Sequence, residues 1–405
     1  MEDELQDQNN PSVPSDNEVE TVAGDKFDEV FSGPGFVMAR KGRFIVLDTT
    51  RSDEEHHVIL EGLARSRGEL RSSIEQQVQE LEEIFSKFEP FDIIGNMSFA
   101  NAILDAETYK EYEHEGNDAY TEYVALLYLT KPYEAYAGRG IEPISGTVLQ
   151  NIEERVKRLF VDTVFYLAVK DIEPEQPKTP DALTQLRFAT LLHSILVRYM
   201  AYHHHLIDVL TGIFTPLRGE LEQTIGFAIE DALALTKGIE SLTSRRLVER
   251  RDKAREFEES LKEAVDRYRQ EKQVLEGFAP DSLERLADMS PSESDRMIQN
   301  MMIAWTFFAL GDTLSFTSQD LIDETGVAPE KAKAFLEKMS LVFGGVEPRY
   351  RIPSPTHPLM KRPLIRQGQR YFCPVSNLVL WSLRPAIEAY LNPDDPEAVN
   401  PDAVL

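Results

Sequence analysis

Apolar residues recur at helical spacing over most of this chain. Ile74, Val78, Leu81, Phe85 and Phe88 lie 4, 3, 4 and 3 residues apart, which predicts one helical face over 65–88, and Pro90 stops it. Tyr120, Tyr123, Val124 and Leu127 predict a face that ends at Lys131-Pro132. After a loop rich in Gly and Pro at 136–146, Val148, Ile152, Val156, Phe160, Val164 and Leu167 predict another helix. The most hydrophobic helix runs from Leu183 to Phe214 along Leu192, Leu196, Tyr199, His203, Leu206, Leu210 and Ile213, with Pro216 beyond it. A helix over 217–239 gathers Leu221, Ile225, Ala228, Ala232 and Leu235. Ser241 to Leu275 is then heavily charged, with a thin seam of Ala254, Phe257, Leu261, Ala264, Tyr268 and Leu275. Such a seam suits an antiparallel helical hairpin or a coiled-coil arm. Ser290-Pro291-Ser292-Glu293 is a helix start: Ser290 caps, Pro291 suits the first turn and Glu293 reaches back. That helix carries Met301, Ile303, Trp305 and Phe308 and closes at Gly311.

Strand patterns are confined to two places. Residues 35–49 read as a β-hairpin turning at Arg40-Lys41-Gly42-Arg43. Near the C-terminus Thr317 caps a short helix, Gly326 turns the chain, and Pro329 opens a helix whose Ala332, Phe335, Leu336 and Met339 face inward. Two strands are predicted after it, Arg349 to Ile352 and Pro363 to Cys373, the latter bent at Gln367-Gly368 as a wing. A last helix runs from Asn377 to Leu391. The fold class is therefore mainly α: a multi-helix body, a small N-terminal β-hairpin and a C-terminal winged-helix-like module. The predicted divisions are a disordered acidic tail (1–30), the β-hairpin with a helical subdomain (31–170), a helical body with a charged arm (181–280) and the winged-helix-like module (290–395), with an exposed connection at 171–181.

Composition narrows the classes. The 405 residues carry a net charge of −27, and residues 1–30 hold ten carboxylates against Lys26 alone. The longest apolar run, Met301 to Leu310, is interrupted by Thr306 and is too short to span a bilayer. The polar, acidic start MEDELQDQNN is unlike a signal peptide. A lone cysteine, Cys373, rules out an intramolecular disulfide and suits a reducing compartment, so a cytoplasmic protein is predicted.

Between Glu330 and Arg370 the charge reverses. Nine cations (Lys331, Lys333, Lys338, Arg349, Arg351, Lys361, Arg362, Arg366, Arg370) face only Glu330, Glu337 and Glu347. An anionic partner would find its favourable field here. Lys331 and Lys333 on the second helix, Lys361 and Arg362 before the wing, and Arg366 and Arg370 on it are the candidate nucleic-acid contacts. Base readout usually needs Arg, Asn or Gln at the front of the recognition helix, where this chain offers Glu330, Lys331 and Lys333. Packing or protein contact is thus the leading use of the module, and DNA the alternative partner.

No catalytic set emerges. His203, His204 and His205 point in three directions, with only Asp208 close, and His203 falls on the apolar stripe, so no metal site is read there. His193 adds none; His56 and His57 read as solvent-facing. Gly33-Pro34-Gly35 and Gly138-Arg139-Gly140 are turns without a phosphate-loop continuation. Asp105, Glu107, Glu111, Glu113 and Glu115 read as a solvated acidic face, and Cys373 as inert packing. No cofactor is expected, and no enzyme.

Three strings are distinctive together: AETYKEYEHEGNDAYTEYVALLYLTKPY (106–133), LTGIFTPLRGELEQTIGFAIEDAL (210–233) and HPLMKRPLIRQGQRYFCPVSNLVLWSLR (357–384). They resemble a family of long, uncharacterised bacterial proteins with a helical body, and the similarity covers the chain from about Phe85 onward. Some members continue past the position of Cys373-Pro374 into a restriction-endonuclease-like domain. The resemblance implies a helical protein without that domain, either a truncated relative or one that never needed it, and an accessory role to a nuclease encoded elsewhere. It assigns no functional residue.

Overall fold

The computed structural model describes residues 29–33, 36–41, 44–47, 61–62, 64–98, 118–136, 144–170, 203–274, 277–307, 310–375 and 378–392. These are mainly helical, with a small four-stranded sheet near the C-terminus. Most of the predicted acidic tail, the 105–115 acidic cluster, the 171–181 connection and the helix before position 203 lie outside the described residues. Near the N-terminus β1 (Glu29–Gly33), β2 (Phe36–Lys41) and β3 (Phe44–Leu47) pair antiparallel in that order, with Lys41 opposite Phe44.

The first core gathers α1 (Arg67–Phe85), α2 (90–98), α3 (Asp118–Leu129) and α4 (Gly146–Val169). The predicted stripe of α1 is buried throughout. On α4 Ile152, Val156, Phe160 and Val164 are buried, and the Ser145 side chain caps the start by accepting from the Val148 amide. The helix α3 differs from its one-faced prediction, because every residue from Ala119 to Leu129 is buried. It runs through the middle of the core, walled by α4 on one side and C-terminal segments on the other.

The second core holds α5 (His203–Phe214), α6 (Arg218–Thr224) and the N-terminal half of α7 (Ile229–Glu271). The helix predicted over 217–239 is cut, since α6 ends at Thr224 and Gly226 takes φ +89. A Cβ on Gly226 would lie 2.9 Å from Ala334, so the turn needs glycine twice over. Nothing interrupts the chain at 240, and α7 continues for 43 residues, about 65 Å at ~1.5 Å per residue. Its charged half lays Leu261, Ala264 and Val265 against α8 (Pro280–Ala287) and α9 (Pro291–Phe307), forming the third core with Leu283, Leu286, Ile298 and Met302. Arg269 reaches Leu286 and Met289 while Arg250 reaches Trp305, so α9 returns antiparallel along α7. Ala254, Leu261 and Ala264 of the seam are thus buried within the same chain, while Phe257 stays 47% exposed.

The C-terminal elements are α10 (Leu310–Leu314), β4 (Phe316–Thr317), α11 (Ser318–Thr325), α12 (Pro329–Lys338), β5 (Ser340–Val342), β6 (Leu364–Gln367), β7 (Arg370–Phe372) and α13 (Leu378–Leu391). The sheet order is β4-β7-β6-β5, with β5 parallel to β6 and the other neighbours antiparallel. The strand predicted at Arg349 to Ile352 is instead a 3-10 turn, Pro348–Arg351, and β5 takes the place beside β6. Pro348 starts that turn, Tyr350 drops into the first core, and the Tyr123 hydroxyl donates to the Arg351 carbonyl at 2.8 Å. The bent strand predicted at 363–373 is the β6–β7 pair, with Gly368 at φ +62 between Gln367 and Arg370.

Alternation decides where this sheet sits. Leu364, Tyr371 and Cys373 face the second core, while Ile365, Phe372 and Leu341 face the first. Phe372 stacks on Phe91 of α2 at 5.1 Å. Both faces of the sheet are therefore covered, and the C-terminal elements weld the two cores together.

Candidate functional site

Five of the nine cations of the 330–370 stretch are engaged with partners within the chain. Lys331 sits between Asp231 (2.7 Å) and Glu222 (2.9 Å), and its hydrogen bonds to both raise its pKa. Arg351 holds Glu82 through two contacts of 2.8 and 2.9 Å, and Lys131 joins the same carboxylate at 2.9 Å. Arg370 meets Asp312 at 2.6 Å, donates to the Ser315 hydroxyl at 3.0 Å and stands over the Phe91 ring. Arg349 pairs with Glu347, and Lys338 lies over the Tyr390 ring. Of the remaining candidates Lys333 and Arg362 are exposed, and Lys361 and Arg366 are half-exposed.

Arg370 also closes one end of a cleft of about 600 Å³. One wall is α7, with Arg246, Glu249, Arg250 and Lys253; Asp312, Thr313 and Ser315 face it from α10 and its end, Phe316, Thr317 and Asp320 from β4 and α11, and Trp305 is a further lining residue. Arg246, Arg250 and Lys253 are spaced 4 and 3 apart, so they share one face of α7. Arg246 donates to the Ser315 carbonyl and pairs with Asp320 at 3.1 Å. Arg250 donates to the Thr313 hydroxyl (2.9 Å) and the Trp305 carbonyl (2.7 Å), with its guanidinium 4.7 Å from the Trp305 ring centre.

These contacts have an evident structural purpose. Trp305 lies in the last turn of α9 and Ser315 directly follows α10, so two arginines satisfy carbonyls at helix C-termini. Further along α7, Arg269 does the same for Ala287, Leu286 and Met289 at the end of α8. Burial alone would raise Asp320, but the Thr317 amide and hydroxyl and Arg246 outweigh it and hold the carboxyl below its usual range.

Behind the cleft lies a second acidic layer. Asp92 of α2 accepts the Gly311 amide at 3.0 Å, and Glu89 accepts the Tyr133 hydroxyl at 2.9 Å. Burial raises both carboxyls; the neighbouring Asp92 adds to the rise of Glu89, and Asp312 to that of Asp92. Burial and Glu89 push Tyr133 up to about 12. A Cβ on Gly311 would meet the Phe91 backbone at 2.6 Å, so this glycine is what lets α10 reach Asp92.

One further pair was not singled out by sequence reasoning. His357 Nε2 lies 2.8 Å from Glu122 Oε2, with side-chain exposures of 3% and 1%. Glu122 is a carboxylate inside TEYVALLYL, and that polar interruption was the available signal. The pair joins two of the three distinctive strings, at 106–133 and 357–384. Arg246, Arg250 and Lys253 were hidden among the many charges of the arm.

Of the histidines, His204 and His205 are exposed with rings 4.1 Å apart, while the His203 side chain, His193, His56 and His57 lie outside the described residues. Among the described residues no group of three or more His, Cys, Asp or Glu could hold a metal ion. Cys373 is buried, its Sγ contacts the Val375 carbonyl at 3.1 Å, and burial pushes the thiol up to about 12. Among the described residues no helix is long and apolar enough to cross a membrane. Set against protein families, curated proteins and solved structures, the chain matches none of them.

Proposed function

We propose that this is a cytoplasmic, non-catalytic interaction or regulatory protein that works through protein contacts. One observation carries the reading. On α9 Met297, Met301 and Trp305 are 41%, 42% and 39% exposed at intervals of four, so they form one outward row. Ile298 and Met302, about 100° round α9 from that row, pack against the seam of α7. Thioethers repack readily around different shapes and tryptophan is a frequent interface anchor, so such a row suits a protein partner.

The winged-helix-like reading of 290–395 draws support from α11, Gly326 and α12 followed by the β6–β7 pair, and from β4 pairing with β7. We take that module as a packing unit because its sheet is covered on both faces and Lys331 and Arg370 are engaged internally. The N-terminal hairpin reading of 35–49 is supported by the pairing of β2 with β3.

The test is a paired one. Met297→Glu with Met301→Glu should abolish a stable partner captured from nuclease-treated extract by the native chain. Labelled duplex and single-stranded DNA should show no salt-dependent anisotropy change. DNA binding that disappears on changing Lys361, Arg362, Arg366 and Arg370 to alanine would instead establish the nucleic-acid alternative, with any nuclease partnership to follow from it.

A further inference from the structure

We infer that the cleft between α7, α10 and β4 is a binding site for a small organic anion, a phosphate or carboxylate attached to a planar ring. Its volume of about 600 Å³ falls in the usual range for small-molecule sites, ~300–1,000 Å³. Four cations line it against three carboxylates, on a chain whose net charge is −27. Such a local reversal inside a concave surface focuses the field on an entering anion.

The carboxylates do not cancel that field evenly. Asp312 is tied to Arg370 and Asp320 to Arg246 and the start of α11, while Glu249, exposed, lies 3.8 Å from Arg245. Lys253 is exposed and makes no hydrogen bond or ion pair with any described residue. It stands one turn beyond Arg250 on the same face of α7, so its ammonium can close on a ligand without breaking a contact that holds the fold. The guanidinium of Arg250 is already oriented by Thr313, the Trp305 carbonyl and the Trp305 ring, which lowers the ordering cost of binding. Trp305, a lining residue that is 39% exposed, offers the apolar plane of its indole for the ring of the ligand. This site shares Trp305 with the protein-contact row but needs Lys253 and neither Met297 nor Met301, so Met297 and Met301 test the row and Lys253 tests the site.

The experiment titrates the full chain with adenosine monophosphate, adenosine, benzoate and inorganic phosphate, read by calorimetry and by tryptophan fluorescence. Only two tryptophans are present, and Trp381 sits on α13, away from the cleft lining. Adenosine monophosphate or benzoate should bind and quench Trp305, and adenosine, lacking the anion, should not. Competition by inorganic phosphate would mark the phosphate as the recognised group; binding of benzoate alone would mark a carboxylate. Lys253→Glu, at an exposed position, should weaken binding at least about tenfold, as for losing one charge-assisted contact. Met297→Glu with Met301→Glu should leave it unchanged. No heat and no quenching with either anion at millimolar concentration, or unaltered affinity in Lys253→Glu, would overturn the assignment.

Discussion

The buried Glu122–His357 contact is where a single change should be felt most. Removing the carboxylate takes away the contact to His357 Nε2, so Glu122→Ala should lose about 1–3 kcal/mol, read from urea unfolding at neutral pH. Replacing both residues by apolar ones of similar volume should recover much of that loss, because the desolvation of both groups disappears with them. Glu89 and Asp92 act in the other direction. Their folded pKa values lie above the unfolded ones, so the folded state holds their protons more tightly. The stability this contributes is full below the ordinary carboxylate range and is lost as pH rises through the raised values. Glu89→Gln keeps an acceptor for the Tyr133 hydroxyl while removing the titration. Its unfolding midpoint should therefore fall less than that of the native chain between about pH 4 and pH 7. Asp320, held low, has the opposite sign: its contribution is present above the ordinary value and is lost as pH falls through the depressed one. At Gly311 helix propensity and packing compete. Alanine would gain about 1 kcal/mol in an open helix, but a Cβ at 2.6 Å from the Phe91 backbone cannot be relieved by a rotamer. Overpacking should win, and Gly311→Ala should be destabilised by about 1–2 kcal/mol in the same assay.

Among the elements, those with caps were the most legible. Thr317 and Asp320 exchange hydrogen bonds, with the Thr317 amide donating at 2.7 Å and the Asp320 amide returning at 3.2 Å, and Gly326 at φ +67 ends α11. Thr317→Ala should cost about 1 kcal/mol in thermal or urea unfolding. Ser290 and Glu293 make the start predicted for α9. The misread elements share a different cause. Arg349 to Ile352 alternates charged and apolar residues like a strand, yet Pro348 and the burial of Tyr350 fold it into a 3-10 turn. The strand β5 is three residues long, too short to display a period, and it exists because β6 offers an edge. The break at Gly226 and the continuity of α7 through position 240 were both set by packing against α11 and α12. A Cβ on Gly238 would lie 2.2 Å from the Thr325 side chain, so this helical glycine marks a close crossing and not a stop.

For the whole molecule, the C-terminal elements are the mortar between cores and not a lobe apart. Phe372, Ile365, Leu359 and Tyr350 complete the core built by α1–α4, so residues 60–170 produced alone should fail to unfold cooperatively on heating. A sharp, two-state transition of that fragment would refute this arrangement. The same long-range packing decided the fate of the basic stretch. Lys331 meets Asp231 from 100 positions away and Arg351 meets Glu82 from 269, and no local count of charges can see such pairings. The helical faces of α1, α4 and α7, the capped starts of α9 and α11, and the β6–β7 turn could be read directly, because backbone periodicity and capping act within a few residues. The burial of α3 on every side, the Glu122–His357 contact and the cleft around Arg250 could not. Each depends on segments brought together across the chain, where burial, and not spacing, sets which charges are paired and which face the solvent.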